Sequence, residues 1–107
     1  MNPRTQDILQ ELHRGFQNLY GTRLRGLAVY GSYARGEEVA GSDLDVALIL
    51  DDFVSAGGEV SAFSGLVARL CLSYNCVVSV VPIRERDWRE RQTPLLMNIR
   101  REGVVVA

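Results

Sequence analysis

Two hydrophobic periods alternate along the chain, and each change of period marks an element. Ile8, Leu9, Leu12, Phe16 and Leu19 recur three or four residues apart, the stripe of an amphipathic helix. Asn2 can cap that helix, with Pro3 in the first position where a missing N–H does no harm, and Gly21 stops it. Residues 24–30 form an apolar run that predicts a strand, closed by Gly31-Ser32; residues 33–37 predict a short helical turn, followed by a loop at "EVAGS". Over 43–50 the period falls to two. Leu44, Val46, Leu48 and Leu50 line one face of this predicted strand, and Asp43, Asp45, Ala47 and Ile49 line the other.

After "DDFVSAGGE" a helix is predicted over 59–74, with Phe63, Val67, Leu70 and Tyr74 on one stripe and Asn75 at its end. The segment "CVVSVVPI", residues 76–83, is β-branched enough for a third strand, and Pro82 places either its end or a sheet edge there. Thr93 can cap a last helix over 94–102 that Gly103 terminates, and the "VVVA" tail can add a strand or a partner contact. This order predicts an α+β domain: a small mixed sheet with helices packed on one face, the other left for chemistry. A chain of 107 residues suits a single domain over 1–107. On size grounds, contact with a partner or homo-oligomerisation is expected.

Composition narrows the function. The hydrophobic share of 47% and charged share of 23% are those of an ordinary soluble globular protein. A formal net charge of −1 offers no basic excess, so no direct nucleic-acid binding is expected and any polyanion must be held locally. No apolar run reaches the roughly 20 residues of a membrane span, and the start lacks a basic-then-apolar leader pattern, so the expected location is cytoplasmic. Cys71 and Cys76 lack zinc-site spacing and read as buried thiols; His13 reads as a surface residue. Arg84, Arg86, Arg89, Arg91, Arg100 and Arg101 are interleaved with acids and read as solvated helix faces, and Tyr30 and Trp88 as core or interface anchors.

The candidate chemistry is concentrated between residues 31 and 45. Asp43 and Asp45 are two apart in a strand, so they project to one side about 7 Å from each other, and their repulsion calls for a cation. Mg²⁺ takes oxygen ligands, typically one or two carboxylates with substrate phosphates, which matches the pair. Gly31 lets backbone approach a ligand, the N–H groups of the following turn attract anions, and Ser32 adds a hydroxyl. Arg35 either steadies phosphates or pairs with Asp43 or Glu37 to hold the loop. The competing plain explanation is a solvated strand entry with Ser42 capping a turn. Haloacid-dehalogenase phosphatases are excluded because they place Asp-x-Asp after the apolar strand, whereas "VALIL" follows it here. Sugar transferases with such a motif need a longer domain, and no P-loop pattern exists.

Gly31-Ser32, ten residues, then Asp43-Leu44-Asp45, with "SYARG" after the glycine and "SD" before the strand, resembles the nucleotidyltransferase superfamily that shares the polymerase-beta palm. The short length and the ending "TPLLMNIRREGVVV" are similar to its minimal nucleotidyltransferase branch. By composition alone the four spaced residues would arise in about one such chain per thousand, which favours the resemblance over coincidence. It implies Mg²⁺-assisted transfer of a nucleoside monophosphate from ATP or another nucleoside triphosphate to an acceptor hydroxyl. It also implies a partner, a HEPN-domain toxin, for which the small protein is antitoxin by modifying it or by binding it. Carried onto this chain, Gly31 and Ser32, with Arg35 beside them, would hold the triphosphate, while Asp43 and Asp45 would be the catalytic, metal-ligating acids. One feature departs from the pattern: the family's third carboxylate aligns with Ser79, and a neutral hydroxyl cannot replace that charge. The alternative is therefore a catalytically weakened nucleotide-binding module that neutralises its partner by complex formation, unless Glu85 or Asp87 reaches in.

Overall fold

A computed structural model of the chain describes residues 2–39 and 41–106. Met1, Ala40 of the expected loop and Ala107 of the tail lie outside the described residues. The elements in order are α1 (Pro3–Tyr20), a 3₁₀ turn (Gly21–Arg23), β1 (Leu24–Tyr30), α2 (Ser32–Arg35), β2 (Leu44–Leu50) and α3 (Ala56–Tyr74). They continue with β3 (Val78–Arg84), α4 (Glu85–Glu90), α5 (Pro94–Glu102) and β4 (Val104–Val105). The chain is an α+β domain on a four-stranded mixed sheet ordered β3-β2-β1-β4.

Local signals explain the boundaries. The Asn2 side chain accepts from Thr5 N–H at 2.8 Å and opens α1 with Pro3 inside its first turn. Ser55 caps α3 three residues earlier than the apolar stripe alone indicates, because its hydroxyl accepts from Gly58 N–H at 3.1 Å and draws the two glycines into the first turn. Asn75, at φ 49°, ends α3 in the left-handed region that asparagine tolerates. Thr93 caps α5 through Leu96 N–H at 3.3 Å.

Alternation along β2 divides two apolar layers. Leu44, Val46, Leu48 and Leu50 join Leu27 and Val29 of β1 against Ile8, Leu12 and Phe16 of α1 and Phe63 and Leu70 of α3. The α1 stripe ends on Tyr20, four residues past Phe16, while Leu19 is 46% exposed; the helical period of 3.6 carries the one inward and the other out. Phe63 meets Phe16 edge to face, centroids 5.7 Å apart. The second face is not left bare. Ala28 of β1, Ala47 of β2 and Ile83 of β3 pack with Leu96 and Ile99 of α5, and Tyr30, Val81 and Trp88 flank them.

β1 and β2 are antiparallel and β2 and β3 are parallel, joined by the α3 crossover that parallel strands require. β3 is an edge strand and keeps Pro82 within it, opposite Leu48. The tail does add a strand, β4 pairing with β1 through Ala28↔Val105 and Val29↔Val104. His13 is half-buried beside a cavity of about 580 Å³, which Asp7, Gln10 and Val104 to Val106 also line. Cys71 and Cys76 are half-buried free thiols, and Cys71 Sγ accepts from Val78 N–H at 3.3 Å.

Two arginines are not solvated helix faces. Arg84 stacks over the Phe53 ring at 4.4 Å and donates to Phe53 O at 3.0 Å and Val54 O at 3.1 Å, and Arg100 donates to the carbonyls of Trp88 and Arg91. Arg84 fastens the loop after β2 and Arg100 the C-terminal end of α4, where carbonyls lack backbone partners, a demand that charge patterning does not reveal.

Phe16 is fully buried at the junction of α1, α3 and the sheet. Phe16→Ala is expected to cost about 3–5 kcal/mol in urea unfolding, a large share of a typical 5–15 kcal/mol. A loss under 1 kcal/mol would show that this core is misassigned.

Candidate functional site

The site lies where β1 runs out. Gly31 follows Tyr30 at φ 73° and ψ −153°, a conformation that side chains resist, and turns the chain into α2. Arg35 N–H returns to Gly31 O at 3.2 Å and Glu37 N–H to Ser32 O at 2.9 Å, so the turn is closed on itself before Gly36 ends it at φ 71°. β2 then enters antiparallel, which brings Asp45 opposite Tyr30.

The decisive contact is between the bend and the acid. A Cβ built on Gly31 would stand 2.5 Å from Asp45 Oδ2, nearer than atoms can approach. The Asp45 carboxylate therefore rests on the glycine backbone itself. Gly31, Ser32 and Asp45 are half-buried about this notch, and Asp43, one residue ahead of β2 and so outside the strand expected to begin with it, is exposed.

Charge in the notch is uneven. Burial pushes the Asp45 carboxyl above its usual range, the neighbouring Asp43 charge pushes it further, and Arg35 opposes both. Arg35 donates through Nε to Glu37 at 3.1 Å and through Nη1 to Glu102 at 3.2 Å. It pairs with Glu37, as one of the two expectations had it, and adds Glu102, 67 residues away along the chain.

Across the sheet, Tyr30, Asp45 and Ser79 form one row on the same face, Asp45 level with Tyr30 on one side and Ser79 on the other. Ser79 thus stands where a third acid would. Glu85 and Asp87 do not reach it: they follow Arg84, which is level with Leu50 at the opposite end of β3, about 16 Å from Ser79 at strand rise. Both are also occupied, Glu85 by Arg89 at 3.2 Å and Asp87 by Arg84 at 3.8 Å. Among the described residues no group of three His, Cys, Asp or Glu could hold a metal ion. Two carboxylates leave a hard cation most of its coordination sphere for water and for the phosphate oxygens of a substrate, the coordination Mg²⁺ commonly adopts.

A family model described as "Nucleotidyltransferase domain" matches residues 9–96. The chain belongs to the nucleotidyltransferase domain family. A search of curated proteins by sequence returns no match. Among solved structures, this nucleotidyltransferase domain is similar to a toxin-antitoxin crystallised with AMP-PNP, at TM-score 0.69 and 19% identity over 92% of this chain and 71% of that one. It is also similar to a complex of the tri-AMPylated Shewanella oneidensis HEPN toxin with MNT antitoxin, at TM-score 0.64 and 18% identity over 95% and 71%. A third such structure, the toxin-antitoxin MntA-HepT, gives TM-score 0.63 and 17% identity over 95% and 71%. At these identities the likeness is one of fold. No helix of the described residues is long and apolar enough to cross a membrane.

Sequence reasoning missed Tyr30 and Glu102 as neighbours of the site. Tyr30 was readable, because it directly precedes the bend; its hydroxyl is held above the ordinary range by burial and by the Asp45 charge. Nothing in the local sequence announces Glu102.

Two outcomes are expected of the notch. Asp45 binds its proton more tightly folded than unfolded, so its contribution to stability is present in acid and lost as pH rises through the raised folded value. Asp45→Asn in metal-free buffer should raise the melting temperature at pH 7 by about 1–3 °C, with the gain fading toward pH 3. A lower melting temperature at pH 7 would contradict this. Gly31→Ala should lower it by several degrees, since the added methyl meets the carboxylate and a positive φ together; an unchanged value would refute the contact.

Proposed function

We propose that this chain binds a Mg²⁺-nucleoside triphosphate, with ATP the leading candidate, and transfers the nucleoside monophosphate to a hydroxyl of a protein partner, the bond between the α- and β-phosphates breaking to release pyrophosphate. The partner we assign is a HEPN-domain toxin, which makes the chain the antitoxin of a toxin-antitoxin pair. The observation that carries this reading is the seating of Asp45 against Gly31, which sets a carboxylate directly on the glycine bend. The family match and the fold shared with MNT–HEPN complexes support it from outside the site.

In this reading the backbone at Gly31 and Ser32 receives the triphosphate, and Arg35 lies beside it. Asp43 and Asp45 hold the cation that accompanies the phosphates. Bound Mg²⁺ supplies charge neutralisation on the phosphates and acidity for the acceptor hydroxyl. The partner brings that hydroxyl.

The Ser79 register favours a second reading, in which the nucleotide is bound but transfer is weak and the toxin is neutralised by complex formation. No other acid stands beside Asp45 in β3 to draw the proton from an acceptor.

The two readings separate with α-³²P-ATP, Mg²⁺ and the purified HEPN-domain partner. Transfer predicts label on the partner, lost at least a hundredfold in Asp45→Ala and raised roughly tenfold in Ser79→Asp. Unlabelled partner in a stable complex, with Ser79→Asp restoring label, selects the binding module. In parallel, Mg-ATP should raise the melting temperature of wild type and not of Asp45→Ala, because ligand stabilises by mass action. Equal shifts would remove the acids from the site.

A further inference from the structure

The C-terminal segment reaches the proposed phosphate site through one side chain. Glu102 ends α5, and the residue after it is locked: Gly103 N–H donates to Ile99 O at 2.7 Å, and a Cβ on Gly103 would fall 2.4 Å from Ile99 O and 3.3 Å from Val29 O. Val104 then pairs with Val29, two residues before Gly31. Glu102 is therefore fastened to the same strand that ends in the bend, and its Oε2 accepts from Arg35 Nη1 at 3.2 Å. Glu37 takes Nε at 3.1 Å from the other side. Two carboxylates at Nε and Nη1 fix the plane of the guanidinium and leave Nη2 outside both contacts. Arg35 stands in the turn that follows the bend, its N–H returning to Gly31 O at 3.2 Å, so the oriented cation is fastened beside the notch.

We propose that Glu102 is a positioning residue: anchored on β1 through Gly103, it holds the Arg35 guanidinium so that its remaining N–H edge meets the polyphosphate of the nucleotide. This inference rests on the nucleotide reading above. It makes the end of α5 part of the phosphate site, although it is far from that site in sequence. The contribution is that of an exposed ion pair acting through a second group, a small factor rather than an all-or-none one.

Isothermal titration of the full chain with Mg-ATP and with AMP tests it. Glu102→Ala should weaken Mg-ATP binding about three- to fivefold and AMP binding less, since fewer phosphates engage the arginine. Glu102→Gln keeps an acceptor and should return most of the affinity. Arg35→Ala should weaken Mg-ATP about tenfold, with no further loss when Glu102→Ala is added. Ligand-free melting temperatures should stay within about 1 °C of wild type for the Glu102 variants. Glu102→Ala binding Mg-ATP as tightly as wild type, or more tightly, while Asp45→Ala fails to bind, overturns the positioning role alone. Mg-ATP binding unchanged in Asp45→Ala overturns the nucleotide reading itself.

Discussion

Everything in this site depends on a carboxylate lying against an α-carbon that carries no side chain. Asp45 is held there by β2, whose opposite face is the centre of the main apolar layer, so it cannot withdraw without dragging Leu44 and Val46 out of the core. Gly31 cannot withdraw either, because it directly follows β1, which is held between β2 and β4. Two like charges and a strained backbone are thus pressed together by hydrophobic packing elsewhere. A fold that keeps such an arrangement gives up stability for a pocket of defined charge, which is the usual mark of a functional position.

Much of this was legible in the sequence, and physics explains which parts. The period-two run of β2, the Asn2 and Thr93 caps and the stop at Asn75 are local signals, and the structure places them as read. The spacing of Gly31-Ser32 to Asp43 and Asp45 was equally local, since a short antiparallel return fixes which residues face one another. Non-local features were hidden. Short α4 has no long apolar stripe, and the cover that α5 gives the second face depends on Ala28 and Ala47 being small enough to admit Leu96 and Ile99. Arg84 and Arg100 resemble their solvated neighbours in composition and differ in what the fold brings to them, carbonyls for both and the Phe53 ring for Arg84. Glu102 is invisible for the same reason.

The row Tyr30, Asp45, Ser79 sharpens what kind of nucleotidyltransferase domain this is. One charged group sits between two hydroxyl-bearing neighbours, so the field across the three strands is weaker than three acids would make it. Such a row suits holding a polyphosphate with its own cation better than forcing a proton from an acceptor.

Pro82 carries a consequence of another kind. It contributes no N–H to β3, so the outer rim of that strand cannot offer a continuous donor row to a stray chain. On the far side, β4 and the Val106 N–H bond to Leu27 O at 2.7 Å occupy the margin of β1. The sheet is in this way guarded at both borders against runaway edge-to-edge stacking, by an imino acid on one and by the chain's own tail on the other.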